Sequence, residues 1–512
     1  MSRLPEAEVR DLARLLIDRV SALERALGPV LAAERAARSA REAELERELA
    51  AERARADALA ERVEWLSRRL GKDSSNSSRP PGSDGPYRGL REKPRREPSG
   101  RRPGKQPGAP SSTLGQVASP DERAECAPPE CRGCGADLSA APVVGEQRRQ
   151  VFEARPAPPP LVTEFVVQAR QCPCCGEVTE GAAPGGVTGR AQYGPRVHAL
   201  AALLTSWHHV PVGRAARMLG QLAGVRASAG FTAGARGRAA ALLAPFMDRA
   251  RELLAGSPVL HADETPARAA GKVRYLHVAS TGFLTAMHAS DRTNAGIDAG
   301  RILPGYTGVL VRDGYSGYLH LAGAVHAWCG AHLLRDLKGI SDRAARTWDN
   351  GPQRQQWTAA MAAVLHDALQ STRAARARED GQLSDLEQAR IRAAYRAALA
   401  GGIEANRGRK GMLATDALSL AMRFGRHEDM ILRFITDLAI PFTNNQAERD
   451  LRPAKVQQHA SGGHWRTLLG LADFAIVRSY LSTAAKWGID PLDALTRLFT
   501  TGPWLPPALQ PA

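Results

Sequence analysis

The sequence predicts a multidomain protein with an α/β domain in its C-terminal half and a long helical region over residues 1–70. Three observations indicate this. β-like runs alternate with helical stretches after about residue 256, Leu and Val recur at steps of four and three before residue 70, and two C-x₂-C pairs lie between these regions. We predict segments at 1–70, 71–120, 121–182, 183–255, 256–460 and 461–512, with a helical insertion at about 342–437. One helix of this insertion is expected to begin with a capping box formed by Ser384 and Glu387.

The N-terminal region is rich in Ala, Leu, Glu and Arg, which favour helices. One apolar register consists of Leu16, Val20, Leu23, Leu27 and Val30, and a second of Leu45, Leu49, Ala56, Leu59, Val63, Leu66 and Leu70. The two registers are one residue out of phase, so we expect a break near residues 36–42. Such heptads favour a coiled coil and self-association. An amphipathic helix that packs on its own protein is the alternative.

The composition bounds the partner and the compartment. A net charge of +16 favours a polyanionic partner, either nucleic acid or an anionic membrane surface. The sequence lacks an apolar run of 18 residues and an N-terminal apolar signal core, so we expect a cytoplasmic protein that does not enter a membrane. In that compartment the seven cysteines favour bound metal or free thiols over disulfides.

The composition of residues 71–120 predicts a disordered basic linker, because a segment dominated by Ser, Pro, Gly and Arg cannot build a hydrophobic core. Between Pro86 and Pro107 eight Lys or Arg residues face two Glu. Such an arm attracts phosphate without reading sequence, and an ordinary solvated linker is the alternative. The candidate DNA-contacting residues here are Arg95, Arg96, Arg101 and Arg102.

The cysteine pairs Cys131–Cys134 and Cys172–Cys175 predict a structural zinc site, since four thiolates satisfy tetrahedral Zn²⁺. The intervening β-like runs QRRQVFEA and LVTEFVVQAR suit a zinc-ribbon-like module at 121–182. Cys174 competes with Cys172 as a ligand, and a redox C-x-x-C is the alternative. Residues 183–255 then predict three helices, the third from about residue 232 to 254. They favour either a helix-turn-helix that binds DNA or a packing layer.

Three acidic residues organise the α/β domain. Asp263 and Asp313 each close an apolar β-like run, and Glu448 begins a helix. Carboxylates that converge at a sheet edge suit two Mg²⁺ or Mn²⁺ ions acting on a phosphodiester. Each aspartate also fits an ordinary turn, and Asn445 with Glu448 also fits a helix N-cap with its reciprocal glutamate. The order of three strands, a helix, a strand, and then another strand and helix is that of the ribonuclease H-like fold.

At these residues the chain resembles the large (TnpC-type) transposases of insertion-sequence family sixty-six, which use a D-D-E triad. The resemblance covers nearly the whole chain through GKDSSNSSRPPGSDG, the paired C-x₂-C, DETP, RDGYSGY, CGAHLLRDL, NNQAERDLRPAK and STAAKWGIDPLDAL. It implies an Mg-dependent transposase with Asp263, Asp313 and Glu448 as ligands. It also implies that Cys329 and His332 support the metal site without binding the ion, with ordinary core packing as the alternative, and that Lys455 contacts DNA.

The resemblance implies double-stranded DNA as partner, both the element's terminal repeats and the target, and accessory proteins of the same element. Arg449 and Arg452 join Lys455 in a basic stretch that suits phosphate contact, with a solvated helix as the alternative. The coiled coil would hold two protomers together, and the location would be the cytoplasm at the nucleoid. Two rival functions are a related metal-dependent nuclease and a domesticated, catalytically inactive DNA-binding protein.

Overall fold

The computed structural model describes residues 6–71, 114–154, 156–157, 159–346 and 351–508. The candidate residues of the basic arm, Arg95, Arg96, Arg101 and Arg102, lie outside the described residues. The chain divides into two compact units. The first unit comprises residues 1–83, 309–316 and 325–444, and the second comprises residues 84–308, 317–324 and 445–512.

The first helix, α1, runs without interruption over Glu6–Gly71. The break expected near residues 36–42 is therefore wrong. Helical hydrogen bonds do not depend on which face carries the leucines, so a change of apolar register moves the stripe without ending the helix. The apolar side chains of this helix are exposed, for example Leu23 at 55% and Leu27 at 51%. The coiled coil remains a prediction.

The cysteine-containing region has little regular structure. Its strands are β1 (Ala169–Gln171) and β2 (Val178–Glu180), which pair antiparallel. The expected strands at QRRQVFEA and over most of LVTEFVVQAR are not formed. A strand needs a partner for its backbone groups and a surface for its apolar face. These runs have no such surface, since Leu161 is 95% and Val162 82% exposed.

Four helices follow in the second unit: α2 (Pro195–Ser206), α3 (Val212–Ala223), α4 (Ala229–Leu242) and α5 (Ala244–Ala255). The sequence predicted a single third helix from about residue 232 to 254, which is wrong. Pro245 lies in the first turn of α5, and a proline removes a helical N–H and restricts the residue before it, so the chain breaks at Leu243. The helices α2, α3 and α4 contact one another.

The strands and helices around the three acids follow the predicted order. In the second unit β3 (Val259–Ala269) pairs antiparallel with β4 (Lys272–Ser280), which pairs antiparallel with β5 (Thr285–Ser290), and the short α6 (Asn294–Asp298) follows. In the first unit β6 (Val309–Arg312) and β7 (Val325–Trp328) are parallel, and α7 (Gly330–Ala344) follows them. The chain thus combines mixed strands with helices.

The predicted helical insertion lies in the first unit. Its helices are α8 (Gly351–Arg354), α9 (Gln356–Ala377), α10 (Asp385–Asn406), α11 (Met412–Arg426) and α12 (Glu428–Thr436). Ser384 and Glu387 form the capping box at the start of α10 that the sequence predicted. Arg376 donates to the carbonyls of Leu438 and Ile440, at 2.8 and 2.9 Å, and so holds α9 against the chain that leaves α12.

Three helices complete the second unit: α13 (Asn445–Ala460), α14 (Leu468–Lys486) and α15 (Pro491–Thr501). The first two pack on the strands through a core that includes Leu276, Leu451 and Phe474. The amide of Thr285 donates to Thr483 Oγ1 at 3.0 Å, which ties β5 to α14. By length and composition α14 is the one described helix that could cross a membrane, and 61% of its apolar window is buried in protein, as in a core helix.

Candidate active site

Asp313 directly follows β6, as the sequence predicted, and its position is fixed by the turn that it starts. Asp313 Oδ1 accepts a hydrogen bond from the backbone N–H of Tyr315 at 2.9 Å, and Asp313 as a whole is 8% exposed. The fully buried Arg312 donates to the carbonyls of Asp313 and Tyr315 at 2.8 and 3.0 Å, and to His326 Nδ1 at 2.9 Å. The strand end is therefore rigid, and the carboxylate has one defined direction.

Cys329 and His332 lie in the same unit as Asp313. The amide of Cys329 donates to the carbonyl of Arg312 at 2.8 Å, and its Sγ accepts the N–H of Asn444 at 3.1 Å. Burial raises the pKa of the Cys329 thiol, but the hydrogen bond and charge of His332 outweigh this and lower it. Burial likewise lowers the pKa of His332, while Cys329 and then Asp313 raise it to about 9. The side chain of His332 thus interacts electrostatically with both Cys329 and Asp313.

Asp263 lies inside β3, not at its end, which corrects the sequence expectation. The strand continues because the residues after Asp263 pair with β4, Thr265 with Leu276 and Ala269 with Lys272. Leu260, Ala262 and Glu264 are buried, whereas His261 and Asp263 are intermediate in exposure. Alternation along the strand therefore turns Asp263 away from the face that holds Glu264.

Glu448 lies in the first turn of α13. The helix begins at Asn445, so Asn445 is its first residue and not the cap that the sequence alternative required. The pKa of the half-buried Lys455 is lowered overall, because the effect of burial exceeds the opposing effect of the Asp263 and Glu448 carboxylates. Two candidate acids from β3 and α13 thus act on one ammonium within the second unit. Arg449 and Arg452 are exposed on the same helix.

Glu264 is a buried carboxylate that the sequence analysis missed. Its Oε1 accepts from Arg292 Nε at 2.9 Å and Nη2 at 2.7 Å, and its Oε2 accepts from Tyr318 at 2.7 Å. Its side chain is 2% exposed. The strand that carries Asp263 is thereby fixed to the segment after β5 and to the turn at residues 316–320. The signal in the sequence was an acidic residue at a buried position of the alternating strand.

A second missed set of contacts fixes the opposite face of α13. Lys486 donates to Asp450 Oδ2 at 2.8 Å and to the carbonyls of Thr281 and Leu284 at 2.8 and 2.9 Å. Gln457 Oε1 lies 3.1 Å from His209 Nδ1, within hydrogen-bond distance. Asp450 and Gln457 are seven residues apart and share one face, whereas Glu448 and Lys455 share another. The helix therefore has a fixed rotation about its axis.

Comparison with protein families identifies the chain. The family model described as Transposase IS66 family matches residues 190–471, more than half of the sequence. The chain belongs to the IS66 family of transposases. As such it is an enzyme of the class that cleaves and joins DNA. A second family model, of unknown function (DUF6444), matches residues 32–114. A search of curated proteins finds no match.

In this transposase the two cysteine pairs form similar turns. Gly135 donates to the carbonyl of Cys131 at 2.8 Å, and Gly176 to that of Cys172 at 2.9 Å. Both glycines are left-handed, with φ of 71° and 78°, which suits a residue without Cβ. Backbone N–H groups of the residues that follow lower the pKa of each first thiol, most strongly Gly133 for Cys131 and Cys175 for Cys172.

The donor sets fit the two expected metals to different degrees. Carboxylates are the ligands that Mg²⁺ prefers. The carboxylates of Asp263 and Glu448 both raise the pKa of Lys455, so both interact with the same ammonium group. Each cysteine turn fits half of a tetrahedral zinc site. Within the described residues, however, no three of the four sulfurs lie within 4.8 Å of one another. Closure of a four-cysteine site therefore requires the two turns to approach each other.

Proposed function

We propose that this transposase cuts and rejoins DNA strands at the ends of its own insertion sequence by two-metal-ion phosphoryl transfer. Asp263, Asp313 and Glu448 would be the metal ligands in a ribonuclease H-like domain. The observation that carries the proposal is that α13, with Glu448 in its first turn, packs against β3, which holds Asp263. The effect of both carboxylates on the pKa of Lys455 agrees with this. The position of Asp313 directly after β6 supports it.

The residues of the chain would divide the work as follows. The three carboxylates hold the ions, and bound Mg²⁺ supplies Lewis acidity to the attacking and leaving oxygens. Lys455, close to two of the acids, pairs with a phosphate oxygen of the strand and so positions the phosphodiester. The buried pair of Cys329 and His332 fixes the environment of Asp313 through the His332 charge. Water first, and later a 3′-hydroxyl, is the attacking group.

The DNA partner would be bound by several basic segments. Arg449 and Arg452 are exposed on α13, one helical turn apart, where they can reach phosphates of duplex DNA. The arm with Arg95, Arg96, Arg101 and Arg102 would add attraction that depends on salt. The terminal repeats and the target DNA are both substrates in this proposal. We place the protein in the cytoplasm at the nucleoid.

Structural zinc and self-association complete the proposal. Cys131, Cys134, Cys172 and Cys175 would close around one Zn²⁺ ion, because their turns already supply two thiols each with lowered pKa at the first position. The exposed leucines of α1 would form the seam of a homo-oligomer that holds two DNA ends. Light scattering of Leu23→Glu/Leu27→Glu should then report a smaller particle than the wild type.

The test is an assay of strand cleavage and joining. Full-length protein is combined with duplexes that carry the element's ends, a target plasmid and Mg²⁺, with and without the accessory proteins of the element. Joined products that disappear in Asp313→Asn support the proposal. Cleavage without joining would indicate a nuclease, and binding without cleavage in the presence of the accessory proteins would indicate an inactive DNA-binding protein.

A further inference from the structure

The turn between α10 and α11, residues 407–411, is strongly basic. Arg407, Arg409 and Lys410 are exposed there. Two carboxylates of the neighbouring helices are engaged elsewhere, Asp416 with Arg343 and Glu428 with Arg392 and Arg396, whereas Glu404 of α10 is exposed three residues before Arg407. In the part of the chain that the structure describes, the three basic side chains of the turn form no ion pair. Glu404 offsets at most one of the three charges, so residues 404–411 keep a net positive charge.

The base of the turn is rigid. Asn406 is 1% exposed, donates to the carbonyl of Gly402 at 2.8 Å and accepts from Gln355 Nε2 at 2.6 Å. Gln355 in turn accepts from the indole of Trp357 at 2.7 Å. A Cβ at Gly402 would lie 2.6 Å from that indole, so α10 and α9 approach closely at this point. The turn therefore stands on a buried polar network.

Two glycines set the shape of the turn. Gly408 and Gly411 have φ of 71° and 101°, in the left-handed region that other residues avoid. Gly411 also precedes α11, which has neither a side-chain cap nor an acidic residue in its first turn, so the helix dipole adds to the positive potential there. Three cations thus lie within one short segment, between the negative C-terminal end of α10 and the positive N-terminal end of α11.

A structural role for these cations has to be weighed against a binding role. Basic residues stabilise a helix C-terminus, here that of α10, by roughly 0.3–1 kcal/mol, and the effect fades within one turn. Arg407 is the C-cap residue directly after α10 and can serve this role. Arg409 and Lys410 lie beyond the helix, so the dipole does not account for them.

We propose that Arg407, Arg409 and Lys410 form a phosphate-binding surface for double-stranded DNA, by which the helical insertion contacts the substrate. This inference rests on the proposed transposase function and extends it to a segment of the insertion. Three cations on a glycine-shaped turn suit phosphate oxygens, which carry no base identity, so the contact is independent of sequence. In the sequence this segment is distinct from the arm and from the basic residues of α13.

The test measures DNA affinity against salt. Full-length wild type, Arg407→Ala/Arg409→Ala/Lys410→Ala and a matched control bind a labelled random-sequence duplex over a series of NaCl concentrations. The control, Arg373→Ala/Arg378→Ala/Arg390→Ala, removes the same charge from exposed positions of α9, α10 and the residue after α9. The turn variant should lose about one unit of salt slope for each lost contact, up to about three, and bind roughly tenfold more weakly near 0.1 M salt.

Two further variants and one direct measurement separate the outcomes. Arg407→Lys/Arg409→Lys keeps the charge and should bind like the wild type. Hydrogen exchange should show DNA-dependent protection of residues 404–413 in the wild type. Equal slopes and affinities for the turn and control variants, with a wild type that binds DNA, overturn this inference and leave the transposase proposal standing. A wild type that does not bind the duplex overturns both. Protection by poly-glutamate but not by DNA would assign the turn to an acidic protein and also overturn the inference.

Discussion

The acids and the cysteines of this transposase are held in opposite ways. Asp313 is 8% exposed on a strand end fixed by a buried arginine, and Asp263 lies on a strand fixed by the buried Glu264. Cys134 and Cys175, in contrast, are exposed, and their turns rest on local backbone hydrogen bonds. Elements that pack in the hydrophobic core determine the positions of the acids, whereas no hydrophobic core supports the described cysteine turns. Their arrangement would come from a bound metal.

The largest effect is expected from the acids. Asp263→Ala, Asp313→Ala and Glu448→Ala should each reduce strand joining by at least about 1,000-fold, because a catalytic metal stabilises the transition state by several kcal/mol. Their melting temperatures should stay near the wild-type value, since the core is untouched. A variant that joins strands at a near-normal rate would remove that acid from the site. Asp342→Ala, at a partly exposed position on α7, is the control.

Removal of zinc should affect the other region alone. Cys131→Ser should lower the zinc content and speed amide exchange at residues 131–136 and 172–177, because the turns lose their common ligand. Unfolding of the strand-bearing core should change little. Cys126→Ser, outside both pairs, should keep the metal. Wild-type protein without zinc, or a Cys131→Ser protein with full zinc, would contradict the four-cysteine site.

The buried ion pair between Asp450 of α13 and Lys486 of α14 tests whether contacts with the core hold the helix that carries Glu448. Lys486→Met should lower the free energy of unfolding by about 3–5 kcal/mol, because Asp450 stays buried and loses its ion pair. Denaturant unfolding measures this. Lys338→Met removes an exposed ion pair on α7 and should cost less than about 1 kcal/mol. Equal costs for the two variants would mean that the buried pair does not fix the helix.

The smallest effect is expected at Gly330, beside Cys329. A Cβ there would lie 2.1 Å from the ring of Phe442. Gly330→Ala should therefore lower the free energy of unfolding by about 1–3 kcal/mol through overpacking. Gly401→Ala, on α10 in open space, should be neutral or stabilise by roughly 0.5–1 kcal/mol. A stable Gly330→Ala protein would show that the surroundings of Asp313 are looser than the structure describes.

Local patterns in the sequence predicted the elements that carry the acids. The apolar run before Asp313 became β6, and Ser384 with Glu387 became a capping box, because these depend on neighbouring residues. The prediction that Asp263 ends its strand was wrong, because β3 continues past Asp263 where it pairs with β4.

The contacts that fix the acids could not be predicted. Asp450 and Lys486 lie 36 residues apart, and Gln457 and His209 lie 248 apart. No local period relates such residues, since the fold alone brings them together. The same holds for Glu264 and Tyr318, which are 54 residues apart. The uninterrupted α1 is the converse case, in which backbone helicity persisted although the side-chain pattern changed.

The most direct test of the metal site is Mn²⁺ binding by calorimetry to the wild type and to Asp263→Ala, Asp313→Ala and Glu448→Ala, with zinc content measured in the same samples. If the three acids form one site, each change should weaken Mn²⁺ binding at least about tenfold while zinc stays bound, because each removes one oxygen ligand. The titration is repeated with a duplex present, since phosphate oxygens complete such a site. Mn²⁺ affinity that is the same in all four proteins, with and without DNA, would contradict the metal mechanism.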